Sequence, residues 1–208
     1  MKLFLYSLSL SPEQAAALTD LVGKDPKHTQ FAIIENAADI VPNAIDWVGG
    51  FRDMLLRYGY QLERVDLRKW INRPDALRDK LASKDVIWLG GGHTYYLRWI
   101  LRESGADTMI KNLVSQGIVY AGWSAGAVVA GPTTQYFDGM GDNLQDSPEI
   151  ILDGLNLTNL VVVPHLDNKE FADDAKTTNR KLVQAGYHTL LLGDSQALVI
   201  DGNRQKII

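Results

Sequence analysis

Tyr120-Ala121-Gly122-Trp123-Ser124-Ala125-Gly126-Ala127-Val128 is the stretch from which the fold can be read. Ile118–Gly122 is an apolar run of strand length, and the small residues after Ser124 have the character of a helix start. The pattern G-x-S-x-G therefore falls at a strand-to-helix turn. Glycines on either side remove the bulk that would stop so sharp a turn from closing, and the turn lifts the serine hydroxyl clear of the sheet. Helix-start amides favour developing negative charge, which makes the Ala125 N–H a candidate oxyanion donor and Ser124 a candidate nucleophile. A serine that only caps a helix is the plain alternative.

Outward from this turn, short apolar runs alternate with helix-length segments. Lys2–Ser9, Phe31–Ile34, Gln61–Leu67, Asp85–Leu89, Ile118–Gly122, Leu160–Val163, Thr189–Leu192, Ala197–Ile200 and Gln205–Ile208 read as strands. Ala44–Tyr58, Pro74–Ser83, Thr94–Glu103, Asp107–Gln116 and Asn168–Ala185 read as helices. In Ala44–Tyr58 the expected inner face is Ile45, Val48, Met54, Leu55 and Tyr58. Asp201-Gly202-Asn203-Arg204 signals a terminal hairpin. Such alternation implies parallel pairing with right-handed crossovers: one α/β domain over residues 1–208, a three-layer sandwich around a mostly parallel, flavodoxin-like sheet. Ligands in such sheets sit outside the carboxyl ends of the strands, so the loops after Leu89, Gly122, Val163 and Leu192 are where chemistry is expected.

Those loops hold the remaining candidates. Gly90-Gly91-Gly92 follows a strand, and a glycine run lets backbone N–H groups approach a substrate carbonyl; Gly91 and Gly92 are the candidate second oxyanion donors. Phosphate binding is the competing use, but His93-Thr94 stands where a Walker loop has its lysine. His165, at the end of a buried strand, is the candidate general base. His28 lies in a charged loop, His188 precedes a strand, and His93 abuts the glycine loop within reach of a substrate. The acid that would orient His165 is Asp194, again past a strand's carboxyl end, with Asp138 as the alternative.

Composition narrows the chemistry further. The chain has 208 residues, 46% hydrophobic and 22% charged, which suits a globular domain and excludes wholesale disorder. Absence of cysteine removes disulfide scaffolds, cysteine nucleophiles, iron–sulfur clusters and Cys-rich zinc sites. The four histidines show no helical metal spacing, so no metal and no cofactor are expected. A net charge of −4 gives no drive toward nucleic acid or anionic membranes. No apolar run is long enough to span a bilayer, and the N-terminus reads as a first strand rather than a signal peptide, so a cytoplasmic location is expected.

Taken together, Gly90-Gly91-Gly92-His93-Thr94, Gly122-Trp123-Ser124-Ala125-Gly126-Ala127 and Pro164-His165, in that order, resemble the peptidase E (aspartyl dipeptidase) family of serine peptidases, related to the cyanophycinases. The resemblance runs over most of the chain. It implies a class I glutamine amidotransferase-like fold, Ser124 as nucleophile, His165 as base, and the glycine loop with Ala125 as the oxyanion hole. Either Asp194 or Asp138 would serve as the acid. A compact domain with no spare module favours a short peptide as substrate, and a homodimer is a possible assembly. After the histidine the sequence departs from the family: Asp167-Asn168-Lys169-Glu170 stands where a Gly- and Arg-containing stretch is expected. Without that arginine, strict Asp-X specificity is not expected. Two rivals stay open at this level. One is an esterase of another α/β class; the other is a non-catalytic small-molecule-binding protein with a vestigial elbow.

Overall fold

In the computed structural model, which describes residues 1–208, the first strand already shows how the core is divided. Along β1 (Lys2–Tyr6), Leu3 and Leu5 enter one core and Phe4 and Tyr6 enter the other. All four are buried, as befits a strand covered on both faces. The same alternation recurs in β2 (Gln30–Ile34), β4 (Val86–Leu89) and β5 (Val119–Trp123). These strands and β3 (Gln61–Arg64) are parallel, in the spatial order β3-β2-β4-β5-β1. The hairpin of β8 (Ala197–Asp201) and β9 (Arg204–Ile207) completes a seven-stranded sheet by pairing antiparallel to β1.

Helices cover both faces. Leu18 and Leu21 of α1 (Pro12–Val22) and Leu55 of α2 (Ile45–Arg57) pack on the Phe4–Tyr6 side. The other face receives α3 (Pro74–Ala82), α4 (Thr94–Glu103) and α5 (Ala106–Ser115) through Leu77, Leu97, Ile100 and Ile110. The short α6 (Ala125–Val128) follows β5 directly. The mostly parallel α/β sandwich expected from the alternation is thus the observed fold.

Three features differ from the expectation. Helix α1 was not anticipated. Ser11 accepts the Gln14 N–H and the Gln14 side chain accepts the Ser11 N–H, a reciprocal cap that starts the helix without a strong apolar stripe. The buried side of α2 is shifted from the expected one: Met54, Leu55 and Tyr58 face the core as expected, but Ile45 is 82% exposed, and Trp47 and Phe51 pack there instead. Finally, β6 (Leu160–Val163) and β7 (His188–Leu191) do not join the main sheet. They pair with each other in a separate parallel sheet, connected by α7 (Ala172–Gln184) and packed over a third core around Tyr95, Phe137, Val161 and Leu182. Strand–helix–strand alternation specifies parallel pairing within a unit but not which sheet the unit enters. The two sheets meet where Leu155 and Leu157 donate to Val129 and Ala130 beyond α6, and where Ser7 and Ser9 beyond β1 donate to Gln196 and Asp194.

Candidate active site

Ser124 is the residue between β5 and α6, and its backbone is in a region that L-residues rarely occupy, with φ 49° and ψ −115°. Three backbone bonds hold it there: its N–H donates to Tyr6 O, and its carbonyl accepts from Ala127 and Val128. The flanking glycines are required by contact as well as by the turn. A Cβ on Gly122 would be driven into the Gly126 carbonyl, and one on Gly126 into the Leu89 carbonyl. The strain is thereby over-determined by its surroundings.

The hydroxyl stands at the end of a hydrogen-bonded chain. Ser124 Oγ is 3.0 Å from His165 Nε2, and His165 Nδ1 is 2.7 Å from Asp194 Oδ1. Facing a carboxylate, Nδ1 carries the proton, which leaves Nε2 as acceptor for the serine O–H. His165 follows β6 and Asp194 follows β7, so the small sheet brings both to the serine on the main sheet. His165 is buried and also has a positive φ, 68°. Its N–H donates to Ser7 Oγ at 2.8 Å, which holds that unusual backbone in place.

The structure brings Asp194 to His165 and does not bring Asp138 there. Asp138 Oδ1 accepts instead from the Tyr95 hydroxyl, whose oxygen also accepts the Asp138 N–H. Asp167 accepts the Asp194 N–H at 2.6 Å and so braces the Asp194 loop. His188 begins β7 at the strand's opposite end, and His28 sits in a surface turn. His93 caps α4: Nδ1 accepts the Tyr96 N–H and Nε2 lies 3.0 Å from the Asn143 carbonyl.

Two contributors went unrecognised in the sequence. Ser7 donates to Asp194 Oδ1 at 3.3 Å, and Asn168 Nδ2 donates to Asp194 Oδ2 at 2.6 Å. Together with His165 they satisfy both oxygens of the carboxylate. Ser7 lies just past the carboxyl end of β1, but the expected strand runs on to Ser9, and that overlong strand hides Ser7 from the strand-end rule. Nothing in the sequence marks Asn168.

The glycine loop lies directly against the elbow. A Cβ on Gly91 would come 3.0 Å from Ser124 Cβ and 3.1 Å from the Trp123 ring, closer than packed carbons ordinarily approach. The N–H groups of Gly91, Gly92 and Ala125 donate to no acceptor in the protein. Beside them opens a cavity of about 670 Å³ bounded by Ser124, His165 and Gly92. One wall is aromatic: Phe51 stacks on Trp123 with ring centroids 3.6 Å apart, and Trp47 meets Trp123 edge-on at 5.5 Å. The buried Trp123 indole N–H has no acceptor. Asp142, Asp146 and Glu170 also line the cavity, and no lysine or arginine does.

The model of peptidase family S51 matches residues 11–208. An uncharacterized peptidase of Pasteurella multocida is 29% identical over 166 residues, which is 76% of this chain and 79% of that protein. A peptidase E of Nostoc sp. is 30% identical over 110 residues, 53% of this chain but only 41% of the relative. Among solved structures, a candidate peptidase E protein from Listeria monocytogenes superposes with a TM-score of 0.86 at 24% identity. That match covers 100% of this chain and 97% of the other, a likeness of fold.

Proposed function

Since the chain belongs to peptidase family S51, a family of serine peptidases, we propose that it hydrolyses short peptides through an acyl-enzyme on Ser124, with His165 as general base and Asp194 as the orienting acid. The observation that carries this reading is the Ser124–His165–Asp194 chain with the serine in a strained, glycine-flanked turn. As Ser124 Oγ attacks the carbonyl carbon, its proton passes to His165 Nε2. Asp194 holds the tautomer and stabilises the imidazolium that forms. The tetrahedral oxygen takes hydrogen bonds from Ala125 N–H and from Gly91 or Gly92, donors that have no competing partner to release. His165 then hands the proton to the leaving amine, the C–N bond breaks, and the acyl-enzyme remains. Water, deprotonated by His165, attacks the ester and frees Ser124.

A strong preference for amino-terminal aspartate is not part of this proposal. Arg98, a buried cation on α4, donates to Asp153 O and pairs with Asp107. Arg102 pairs with Glu149, and Lys176 with Asp173. None of them lines the cavity.

The test is turnover of a dipeptide library by the wild type and Ser124→Ala, with labelling by a serine-directed phosphonate. Alanine fits wherever serine fits, so the variant folds as the wild type does by circular dichroism while kcat falls on the order of 10⁶. Equal turnover by the two proteins at matched purity would refute the hydrolase. Labelling of Ser124 together with ester but no peptide turnover would favour an esterase instead.

A further inference from the structure

We propose that the cavity beside Ser124 selects peptides whose amino-terminal residue has a free ammonium and a large apolar side chain. The ammonium pairs with the Asp142 carboxylate, and the side chain lies against Trp47, Phe51 and Trp123. This rests on the serine peptidase reading and adds the substrate class to it.

Asp142 is half-buried on the same wall as the glycine loop: its Oδ2 accepts the Thr94 N–H at 2.8 Å, two residues beyond Gly92. Thr94 supplies its hydrogen bonds, which do not use every acceptor site of a carboxylate, and Asp142 lines the cavity. Burial pushes its carboxyl above the ordinary range against the Thr94 hydrogen bonds and the nearby His93, and an ammonium would favour the charged form further. Asp146 and Glu170, both exposed, add negative potential at the rim, and no lysine or arginine in the lining opposes it. An acidic side chain entering here would be desolvated among like charges with nothing to pair with. An apolar one would instead cover rings that already stack on one another: Phe51 on Trp123, with Trp47 edge-on.

Binding is measured by calorimetry on full-length Ser124→Ala, so that no turnover intervenes. The probes are Phe-Leu, Asp-Leu and N-acetyl-Phe-Leu. Phe-Leu is expected to bind at least about tenfold more tightly than either of the others, near 1.4 kcal/mol. Adding Asp142→Asn, which keeps an acceptor for the Thr94 N–H, should reduce the advantage over the acetylated peptide to less than about threefold. Should that variant not fold, Asp142→Ser takes its place. Asp-Leu or N-acetyl-Phe-Leu binding as tightly as Phe-Leu, or Phe-Leu not binding measurably, overturns the proposal. Turnover and phosphonate labelling of the wild type are read separately. A labelled, active enzyme without the preference removes only this inference; an unlabelled, inactive one that retains the preference removes the peptidase reading instead.

Discussion

Ser7 is where the supports of the proposed base and its acid converge, since one hydroxyl accepts the His165 N–H and donates toward Asp194. It touches neither the serine oxygen nor the cavity, so its role is to position. Ser7→Ala strips one hydrogen bond from the acid and leaves a buried N–H without a partner. Losing about 1–1.5 kcal/mol of orientation would lower kcat about tenfold. KM should stay unchanged because no lining atom is altered, whereas a general loss of structure would move both constants. Asp194→Asn should cost far more, on the order of 10⁴ in kcat, because an amide favours the wrong imidazole tautomer. Asp138→Asn, whose carboxylate faces Tyr95, should cost little. Comparable losses in the two variants would disconnect Asp194 from the chemistry. At this scale legibility followed chemistry. Ser124, His165 and Asp194 each stood in a strand-end loop that topology had already singled out, and Ser124 had a spaced motif as well. Ser7 and Asn168 had no motif, and the aromatic wall depended on a helix rotation that the apolar pattern of Ala44–Tyr58 did not specify.

Among the elements, α1 shows how a segment can be spelled out and still be overlooked. Ser11-Pro12-Glu13-Gln14 is a capping box with proline near the helix start, and Gly23 closes the other end in the left-handed conformation. Apolar periodicity in Pro12–Val22 is diluted by alanine and threonine, so the helix is marked by its caps and not by a stripe. The cap itself can be tested. Ser11→Ala removes the acceptor for the Gln14 N–H and should cost about 1 kcal/mol. In a chain of this size that lowers Tm by about 2–4 °C. Activity should not change, as α1 is on the sheet face away from α4 and lines no part of the cavity. A Tm shift below about half a degree would mean that the cap is replaced by water. The unit of β6, α7 and β7 was legible one piece at a time and not as a whole. Each strand and the helix could be read from local pattern, but no local pattern places them in a separate sheet, and the segment before them is tied to the main sheet by the long-range pairing of Val129–Gly131 with Leu155–Leu157. That pairing lies in the long stretch after α6 where regular elements are few and periodicity is silent.

For the molecule as a whole, the balance of partly buried carboxylates sets how stability responds to acid, and two groups pull in opposite directions. Asp66 takes a two-pronged bond from Arg68, at 2.9 and 3.0 Å, and a third from Asn36 at 3.0 Å. The Arg68 bonds foremost hold its pKa down to about 2 from an ordinary 3.8. The folded protein therefore keeps this charge when the unfolded chain has lost it. The stability it contributes is fully present above 3.8 and is lost as pH falls from there toward 2. Asp142 has the reverse sign. Burial raises its pKa against the help of the Thr94 hydrogen bonds, so the folded state takes up this proton first. Stability is gained as pH falls through that raised value and the gain is complete once 3.8 is passed. Burial likewise raises Glu35, which adds to the same gain on the less acidic side. Urea midpoints followed from neutral pH to 2 should accordingly show a shallow fall or a plateau above 3.8 and a steeper fall below it. Asp66→Asn should flatten the lower limb only. Because solvent screens a partly exposed ion pair, the difference should stay below about 1 kcal/mol. Asp142→Asn, which has no proton to take up, should steepen the fall above 3.8 and leave the lower limb as it was. An Asp66→Asn profile parallel to the wild type between 3.8 and 2 would show that the Arg68 pair does not hold the carboxyl down.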